Sequence, residues 1–420
     1  MVNYNIYKSR LYISIISERN VTMNIRKISA ALISAAMIVG MLTACGQNSS
    51  SSDAPSSEVV STPEMSPIRS ISSIELIKEM KVGWNLGNTL DSTIGNPDGT
   101  ELPSDWETAW GQPVTTKAMI DSVKAQGFNV LRVPVTWEGK FGAAPDYTIN
   151  ADWIARVKEI VDYGIENDMF VILNMHHEEW NMPTAENQAI ADEILRALWS
   201  QIADYFADYN EKLIFEGMNE PRLKGTPMEW NGGNAEAREV INCWNASFVE
   251  TIRSKGGNHT DRHLMIPTYA ASSLDSVLSE FRIPEDDKVI VSVHAYLPYS
   301  FALADNASGT KEWSADNVND TRDIDSLFEK LKTLYIDNGQ AVIIGEFGSR
   351  NRMNNEAREN CARYYITKAT EAGIPCVWWD NNAFVGSGEN FGLFDRKTFE
   401  WRYPDIITAM MEAREGTAVQ

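Results

Sequence analysis

The chain has 420 residues, 43% hydrophobic and 23% charged, a composition that fits one large globular domain or two small ones. A formal net charge of -21 at pH 7 disfavours nucleic acid or an anionic surface as the partner and leaves a neutral partner open. Apart from Cys45, discussed next, the cysteines are Cys243, Cys361 and Cys376. Because three is an odd number, we expect buried single cysteines rather than a disulfide framework.

The N-terminal segment has the pattern of a secretory signal. Residues 1–44 contain a basic start after Met23, an apolar run over residues 28–42 and small residues before a cleavage point. We therefore interpret 1–44 as a signal peptide whose true start is Met23. The sequence Leu42-Thr-Ala-Cys45 resembles the bacterial lipobox, which implies cleavage before Cys45 and lipidation of its thiol. An uncleaved membrane anchor is the alternative, although the apolar run is shorter than the roughly 20 residues that a spanning helix needs.

A stretch rich in Ser and Pro follows the signal. Residues 45–70 carry the lipidated Cys45 and then a low-complexity run that is typical of a flexible tether. The folded domain is predicted over 71–420. We accordingly expect an extracellular protein that is anchored to the bacterial cell surface as a lipoprotein, touches the membrane only through that lipid, and acts as a monomer.

From about Ile71 onward, short apolar runs of strand type alternate with amphipathic stretches of helical period. Strands are predicted at 81–86, 130–133, 170–174, 213–217, 263–267, 289–294, 341–345 and 376–379. Helices are predicted near 115–126, 151–167, 189–206, 235–255, 274–281, 323–338 and 355–372, with a last one after Pro404. These repeated βα units predict an α/β fold, a single (β/α)8 TIM barrel whose long βα loops form an open cleft. A doubly wound open sheet is the alternative.

Polar and aromatic residues collect where the predicted strands end. They are Arg132, His176, Glu220, His294, Tyr296, Glu346 and Trp379. In a barrel the carboxyl ends of all the strands meet on one face, where active sites are built.

Two glutamates of this set could perform acid and nucleophile chemistry together. Glu220 and Glu346 each follow an apolar strand-like run, on predicted strands four and seven. Hydrolysis of a sugar acetal needs one carboxyl group to protonate the leaving oxygen and a second one to attack the anomeric carbon or to activate water. The distance between the two decides the stereochemistry. Glu216, on the same strand as Glu220, is interpreted as a buried, paired structural carboxylate.

Seven motifs now carry a resemblance that extends from Lys81 to about Tyr403. They are Gly83-Trp-Asn-Leu-Gly-Asn-Thr-Leu-Asp91, Leu131-Arg-Val-Pro-Val-Thr-Trp137, Ile172-Leu-Asn-Met-His-His-Glu178, Glu216-Gly-Met-Asn-Glu-Pro221, Val293-His-Ala-Tyr296, Ile344-Gly-Glu-Phe-Gly348 and Val377-Trp-Trp-Asp380. In these motifs the chain resembles glycoside hydrolase family 5, of the bacterial endoglucanase and xyloglucanase type.

The resemblance implies a retaining mechanism with Glu346 as the nucleophile and Glu220 as the acid/base, without a cofactor or metal. Arg132 is expected to keep the nucleophile ionised, and Asn219 to hydrogen-bond the 2-hydroxyl of the sugar. To act as an acid near neutral pH, Glu220 should have a pKa above its usual value of about 4.3.

Two further residues complete the predicted catalytic set. Tyr296 is expected to donate to Glu346, and His294 to orient the acid.

Further positions are expected to bind the substrate. By resemblance, Trp379 belongs at the sugar next to the cut, and Asn88 and Asp91 match residues that bind the next sugar outward. His176 and His177 are expected beside the cleaved-side sugar. A metal site at these histidines is the alternative, although adjacent strand residues point to opposite faces.

The chain has thirteen tryptophans, and several fall in predicted loops above the strands. They are Trp84, Trp110, Trp137, Trp180, Trp230, Trp313 and Trp379. Flat aromatic faces stack on the apolar faces of pyranose rings, so a row of them could line a polysaccharide cleft; about half are expected to pack under loops instead. Trp137 is taken as a substrate contact, and Trp313 as a contact on the leaving-group side.

Taken together, the sequence predicts a retaining endo-β-1,4-glucanase that cuts internal bonds of cellulose-like chains, mixed-linkage β-glucan or xyloglucan by double displacement. A xyloglucan-specific enzyme, or a mannanase or xylanase, is the alternative within the same class. A lipoprotein that binds glycans without cutting them is the alternative from another class.

Overall fold

The computed structural model describes residues 66–305, 307–386 and 388–416. Its centre is a closed barrel of parallel strands that pair in chain order, with the eighth strand hydrogen-bonded to the first. The strands are β1 Val82–Leu86, β2 Val130–Val133, β3 Phe170–Asn174, β4 Leu213–Glu216, β5 Leu264–Pro267, β6 Val289–His294, β7 Ala341–Phe347 and β8 Cys376–Asp380. The predicted (β/α)8 TIM barrel is confirmed.

One short helix, α1, precedes the first strand, and the other helices follow the strands around the barrel. They are α1 Ser73–Leu76, α2 Pro103–Thr108, α3 Lys117–Ala125, α4 Ala151–Glu166, α5 Gln188–Tyr205, α6 Ala235–Arg253, α7 Asp275–Leu278, α8 Tyr299–Ala302, α9 Val318–Leu334, α10 Asn355–Ala372 and α11 Pro404–Glu415. Asparagine side chains begin several of them: Asn150 accepts backbone N–H groups at the start of α4, and Asn234 does so at the start of α6. A small hairpin, β9 Phe394–Asp395 with β10 Glu400–Trp401, lies between β8 and α11.

The bounds of the barrel strands agree with the predicted ones to within two residues. The helices agree less well. Helix α9 starts at Val318, five residues before the predicted Asp323, because Asn317 caps it by accepting the backbone N–H of Asn319. Helix α7 is a single turn over Asp275–Leu278, shorter than the predicted 274–281.

The interior of the barrel has its own apolar cluster, separate from the larger core between the strands and the outer helices. It takes alternate residues from the strands, such as Ile290 and Ile343, as expected for side chains that point inward. Leu76 and Met80, from α1 and the turn after it, are fully buried in the same cluster. The segment before β1 therefore closes the N-terminal end of the barrel.

The first described residues are tied to that same end. The guanidinium of Arg69 donates to Glu79 and Glu211, and Ser70 donates to Asp261. The described contacts thus include two residues before the predicted domain start at Ile71. The predicted signal peptide, the lipidated Cys45 and most of the predicted tether lie outside the described residues. Within the described ranges, none of the helices is both long enough and apolar enough to cross a membrane.

Candidate active site

The inward-facing positions of the barrel change character along the strands. Near the N-terminal end they are apolar, but near the carboxyl ends they are Asn85, Arg132, Asn174, Glu216 and His294, all buried. Because every strand runs in the same direction, these polar side chains meet at one end of the barrel. A buried polar layer survives only if its members hydrogen-bond each other.

Arg132 is the hub of this layer. Its Nε donates to Glu216 at 2.7 Å, its Nη1 to Glu346 at 2.8 Å and to Asn85 at 3.0 Å, and its Nη2 to Asn219 at 2.8 Å. Burial lowers the pKa of this guanidinium, but the two carboxylates outweigh burial and the pKa is raised overall. Arg132 is therefore a permanent cation that fixes two carboxylates and the Asn219 amide at once.

Glu216 has the role expected of it. It is fully buried, and beside Arg132 it accepts a hydrogen bond from Ser292 at 2.8 Å. Both of its oxygens are thus occupied inside the barrel, and it is a structural carboxylate below the site.

Each oxygen of Glu346 has a fixed partner. Oε1 accepts from Arg132, and Oε2 accepts from the Tyr296 hydroxyl at 2.8 Å. Burial and the neighbouring Glu346 raise the pKa of Tyr296 well above its usual value, so the phenol stays a donor. The sequence placed Glu346 just past its strand, but β7 continues to Phe347, and the pairing register shifts beside it on both sides.

Strand β4 ends at Glu216. Glu220 lies four residues further on, near the start of the long loop that follows. Its Oε1 is 2.7 Å from His294 Nδ1, and its Oε2 is 3.6 Å from a terminal nitrogen of Arg222. His294 Nδ1 also lies 3.6 Å from Glu346. One carboxylate oxygen of Glu220 and one of Glu346 are within 4.8 Å of each other.

Among its neighbours, His294 lowers the pKa of Glu220 most. Burial alone would raise the pKa of Glu220, but His294, Arg222 and Arg132 lower it overall in the free enzyme. The expectation of a raised pKa is therefore wrong for the unliganded site. Burial lowers the pKa of His294, and the two glutamates reverse this and raise it. The two groups thus compete for one proton across a 2.7 Å contact.

An aromatic wall stands beside these carboxylates. Trp379 and the imidazole of His176 are stacked in parallel, with centroids 5.7 Å apart and planes 1° apart. His177 packs edge-on against His176 at 4.4 Å, and Trp110 lies 5.6 Å from His177. Gly87 sits against the Trp379 ring, where an added Cβ would come within 2.9 Å of it. The wall leads from the glutamates to Trp110, which is 40% exposed.

Both histidines of this wall are neutral. Burial lowers the pKa of His176 well below its ordinary value and that of His177 to about 4. The ring nitrogens of His176 are 3.1 Å from the Asn174 amide and 3.4 Å from the Asn219 amide. Neutral imidazoles can both donate to and accept from sugar hydroxyls.

Three residues predicted to bind substrate are buried among protein groups in this structure. Asp91 is fully buried, and its oxygens accept the backbone N–H groups of Asn88 and Thr89, so it shapes the loop that carries Asn88. Trp137 is also fully buried and donates to the carbonyl of Asn174. Trp313 is 5% exposed and donates to the carbonyl of Asp320 under its own loop. Residue type and loop position do not reveal such burial, because it depends on how each loop packs in three dimensions.

Asn88 itself remains a candidate contact. It is half-buried and its φ of 58° lies in the left-handed region, which asparagine tolerates better than most residues.

Sequence reasoning missed several members of the site. Asn85 accepts from Arg132 and donates to the carbonyl of Gly345, thereby joining β1, β2 and β7. Ser292 and Asn174 belong to the same layer, and Arg222 contacts Glu220. For Asn174 and Ser292 the signal was available: each is a polar residue two positions after an inward apolar one. Asn85 follows Gly83 by two positions and carries no such signal. Arg222 lies in a loop and has no such signal.

Two groups of side chains in the described part of the chain could geometrically hold a cation, Glu220 with His294 and Glu346, and Asp91 with His176 and His177. In the first group Arg132 already neutralises Glu346. In the second, both oxygens of Asp91 are occupied by backbone amides. A metal ion would have to displace these partners.

Comparisons with known proteins agree with this geometry. Residues 95–385 match the model of the cellulase family, described as glycosyl hydrolase family 5. The chain is 44% identical to endoglucanase B of Ruminococcus albus, over 94% of this chain and 98% of that protein. It is 46% identical to endoglucanase A of Clostridium longisporum over 81% of this chain, and spans 65% of the length of that relative.

A solved structure is similar along the same part of the chain. It is a GH5-4 broad specificity endoglucanase from Ruminococcus champanellensis with bound cellotriose. Its TM-score is 0.79 with 47% identity, and the match covers 82% of this chain and all of that one.

Proposed function

The chain belongs to the cellulase family, glycosyl hydrolase family 5, and is an endoglucanase; we propose that it cuts internal β-1,4-glucosidic bonds with retention of configuration, through Glu346 and Glu220. The observation that carries this proposal is the distance between the two carboxylates. One oxygen of each carboxylate lies within 4.8 Å of one oxygen of the other, which fits the separation of about 5 to 5.5 Å between carboxyl groups typical of retaining enzymes. An inverting enzyme needs roughly 6.5 to 9.5 Å, which leaves room for a water molecule.

In the first step Glu346 attacks the anomeric carbon and forms a covalent glycosyl-enzyme. The bond between that carbon and the glycosidic oxygen breaks, and the proton of Glu220 passes to the departing oxygen. Arg132 and Tyr296 hold the two oxygens of Glu346, so the nucleophile is fixed before substrate arrives.

In the second step water attacks the same carbon and Glu346 departs as a carboxylate. Glu220, which lost its proton in the first step, accepts a proton from that water and returns to its acid form. His294 is placed to influence the protonation of both carboxyl groups, because its Nδ1 contacts Glu220 and lies near Glu346.

Asn219 fits the role of a contact to the 2-hydroxyl. Its Oδ1 is bound by Arg132, which turns its amide N–H groups away from that guanidinium and toward the His176 side of the cleft. A hydrogen bond to the 2-hydroxyl strengthens as the oxocarbenium-like transition state forms. The Trp379 ring, stacked with His176, provides the apolar face for the same sugar.

We propose cellulose-like chains, mixed-linkage β-glucan and xyloglucan as substrates. The site lies at the C-terminal ends of the barrel strands, the face on which the βα loops can bind a substrate. The similar structure from Ruminococcus champanellensis is named a broad specificity enzyme, which supports more than one β-glucan as substrate. A mannanase or a xylanase would share the acid and nucleophile and differ in the loops.

The test is reducing-end release by the full chain on carboxymethylcellulose, barley β-glucan, xyloglucan, mannan and xylan. Glu346→Gln and Glu220→Gln should each lose turnover by orders of magnitude while still binding glucan. Glu179→Gln is the matched control, since that side chain is 76% exposed and pairs with Lys224. Hydrolysis that survives in Glu346→Gln would refute the assignment, and silence of the unaltered enzyme on all five would favour a glycan-binding protein.

We also propose that the enzyme is a monomer held at the cell surface by a lipid on Cys45. The lipobox-like Leu42-Thr-Ala-Cys45 supports this, and so does the position of Arg69, whose contacts lie at the end of the barrel opposite the site. A tether from that end would leave the cleft facing outward. Cys45→Ser should move the enzyme from the membrane fraction to the medium, and unchanged fractionation would contradict the proposal.

A further inference from the structure

Three arginines that follow strand β7 are buried without an acidic partner. They are Arg350, Arg352 and Arg358, and their exposed fractions are 6%, 6% and 0%. Among the described residues, no ion pair involves any of the three. A buried charge is normally paired, because removing it from water is costly. This part of the protein therefore carries positive charge that the neighbouring side chains do not neutralise.

Arg350 and Arg352 satisfy most of their N–H groups on the main chain. Their terminal nitrogens donate to carbonyls of residues 301–304, and Arg350 also donates to the carbonyl of Gly388. A carbonyl oxygen accepts the N–H group but is not an anion. The hydrogen bonds of these two arginines are thus made, while their charges remain.

Arg358 differs from the other two, because most of its N–H groups have no acceptor. Its Nε donates to the carbonyl of Ser349 at 3.1 Å. Both terminal nitrogens are buried and have no hydrogen-bond partner among the described residues, and the same is true of the Ser349 hydroxyl. Since the carbonyl of Ser349 contacts this guanidinium, its hydroxyl belongs to the same neighbourhood. Several strong donors thus lie together without an acceptor.

Aromatic rings cover the faces of this guanidinium. It lies over the ring of Tyr403, 4.8 Å from the centroid, and 6.0 Å from the ring centroid of Trp378. Such contacts compensate part of the charge, but they accept none of the in-plane N–H groups. Burial accordingly lowers the pKa of Arg358 to about 10. A ligand would have to meet the edge of the guanidinium, where its N–H groups point.

The start of helix α10 adds to the positive charge. Arg358 is in the first turn of this helix, where the helix dipole already favours an anion over a cation. The preceding residue, Asn354, does not cap the helix with its side chain. That side chain instead accepts the backbone N–H of Arg352 and donates to the carbonyl of Lys311. An anion at this point would offset both the helix dipole and the guanidinium.

We propose that Arg358 and Ser349 bind a buried chloride ion between the end of β7 and the start of α10. The ligand is small, because Arg358 is fully buried and Ser349 is 2% exposed. A water molecule could accept some of the N–H groups but has no charge, whereas chloride supplies both an acceptor and the missing negative charge. Glu346 lies three residues before Ser349, so the ion would hold the segment after the nucleophile against α10.

The first test measures the melting temperature of the full chain in a chloride-free buffer to which sodium chloride is added. Sodium gluconate keeps the ionic strength constant, and its anion is too large for a buried site. Because chloride would bind the folded state, the melting temperature should rise and then level off. The expected rise is about 2 °C when chloride reaches about ten times its dissociation constant. An equal melting temperature in both salts would overturn the proposal.

Three variants show whether the response comes from this site. Arg358→Met keeps an unbranched apolar stem and should abolish the response to chloride. Ser349→Ala removes one neutral donor and should weaken chloride binding about two- to tenfold; it tests the proposal even if Arg358→Met does not fold. Arg322→Met is the matched control, since that side chain is 65% exposed, and it should respond like the unaltered protein. A full response in both Arg358→Met and Ser349→Ala would overturn the proposal.

Bromide locates the ion directly. Crystals of the unaltered protein soaked in sodium bromide should show an anomalous peak within hydrogen-bond distance of the Arg358 terminal nitrogens. Peaks at surface positions alone would overturn the proposal, because the N–H groups would then be satisfied by water. A peak at Arg358 without any effect of chloride on the melting temperature would indicate an adventitious ion only, and would overturn it as well.

Discussion

His294 Nδ1 lies 2.7 Å from Oε1 of Glu220, the carboxyl group that must hold a proton when the glycosidic bond breaks. The contact lowers the pKa of the glutamate and raises that of the histidine, so the pair shares a proton. The other ring nitrogen of His294 is buried and has no hydrogen-bond partner among the described residues. Among the described residues, the side-chain hydrogen bond of His294 therefore goes to Glu220, with Glu346 nearby.

His294→Phe should shift the basic limb of the pH profile to higher pH. Activity requires protonated Glu220, so it falls as the pH rises through the pKa of that group. Loss of His294 removes a contact that lowers this pKa and leaves burial, which raises it. We expect kcat/KM on 4-nitrophenyl β-cellobioside to fall and its basic limb to move upward. A basic limb that stays in place, or that moves to lower pH, would show that His294 does not control this proton.

Gly345→Ala should reproduce part of this effect without touching a catalytic group. A Cβ at this position would lie 2.9 Å from His294 Nε2 and 3.3 Å from Met265, so the imidazole must move. Because a misplacement of about 1 Å can cost up to about 100-fold in rate, we expect a large loss of kcat with a folded protein. Gly142→Ala, whose nearest neighbour would be 3.7 Å away, is the control and should be neutral. Equal kinetics for the two variants would contradict the packing argument.

Glu216→Gln should cost mainly stability. Removal of one partner from a buried ion pair costs about 3 to 5 kcal/mol, and here Arg132 would lose one of its two carboxylates. Activity should fall by less than about 100-fold, because Glu346 keeps its contacts to Arg132 and Tyr296. Urea unfolding and kcat of the same preparation measure both effects. A loss of activity as large as that of Glu346→Gln would mean that Glu216 acts in the chemistry.

Leu76→Ala should weaken the closure of the barrel and leave catalysis unchanged. The side chain is fully buried in the interior cluster at the end opposite the site. Truncation of a buried leucine costs about 2 to 5 kcal/mol, whereas kcat and KM below the unfolding temperature should not change. Ile190→Ala, at a position that is 54% exposed, is the control and should change stability by about 0.5 kcal/mol or less. A kinetic effect of Leu76→Ala would show that the two ends of the barrel are coupled.

His263→Gln should make stability less sensitive to acid. Burial lowers the pKa of His263 to about 3, whereas the unfolded chain titrates near 6.5. Between these values the unfolded state binds a proton that the folded state does not. The buried histidine therefore lowers the free energy of unfolding as the pH falls from about 6.5 to about 3. At pH 4 the loss is of the order of 3 kcal/mol. The difference in unfolding free energy between pH 7 and pH 4 should shrink in the variant, and an unchanged difference would refute this.

Much of the fold was available from the sequence. Buried parallel strands are continuous apolar runs, and turn and helix signals separate them, so each strand was found within two residues. Glu220, Glu346, Arg132, His294 and Tyr296 were predicted to lie together because they stand at or near the ends of such runs, and the structure brings their side chains into contact. Asp91, Trp137 and Trp313 were predicted as substrate contacts, and only the structure shows that all three are buried, since a sequence shows the residue type but not what covers it.

The sequence alone determined the barrel and the family, and it named Glu220 and Glu346 as the candidate acid and nucleophile, because these inferences depend on the order and period of residues along the chain. Only the tertiary structure decided how far apart the carboxylates lie, which way the pKa of Glu220 moves, and which tryptophans reach solvent. Those quantities depend on distances between residues far apart in the chain and on what surrounds each group. His294 shows this best: it lies 74 positions from Glu220 in the chain, yet their 2.7 Å contact lowers the pKa of that carboxyl group.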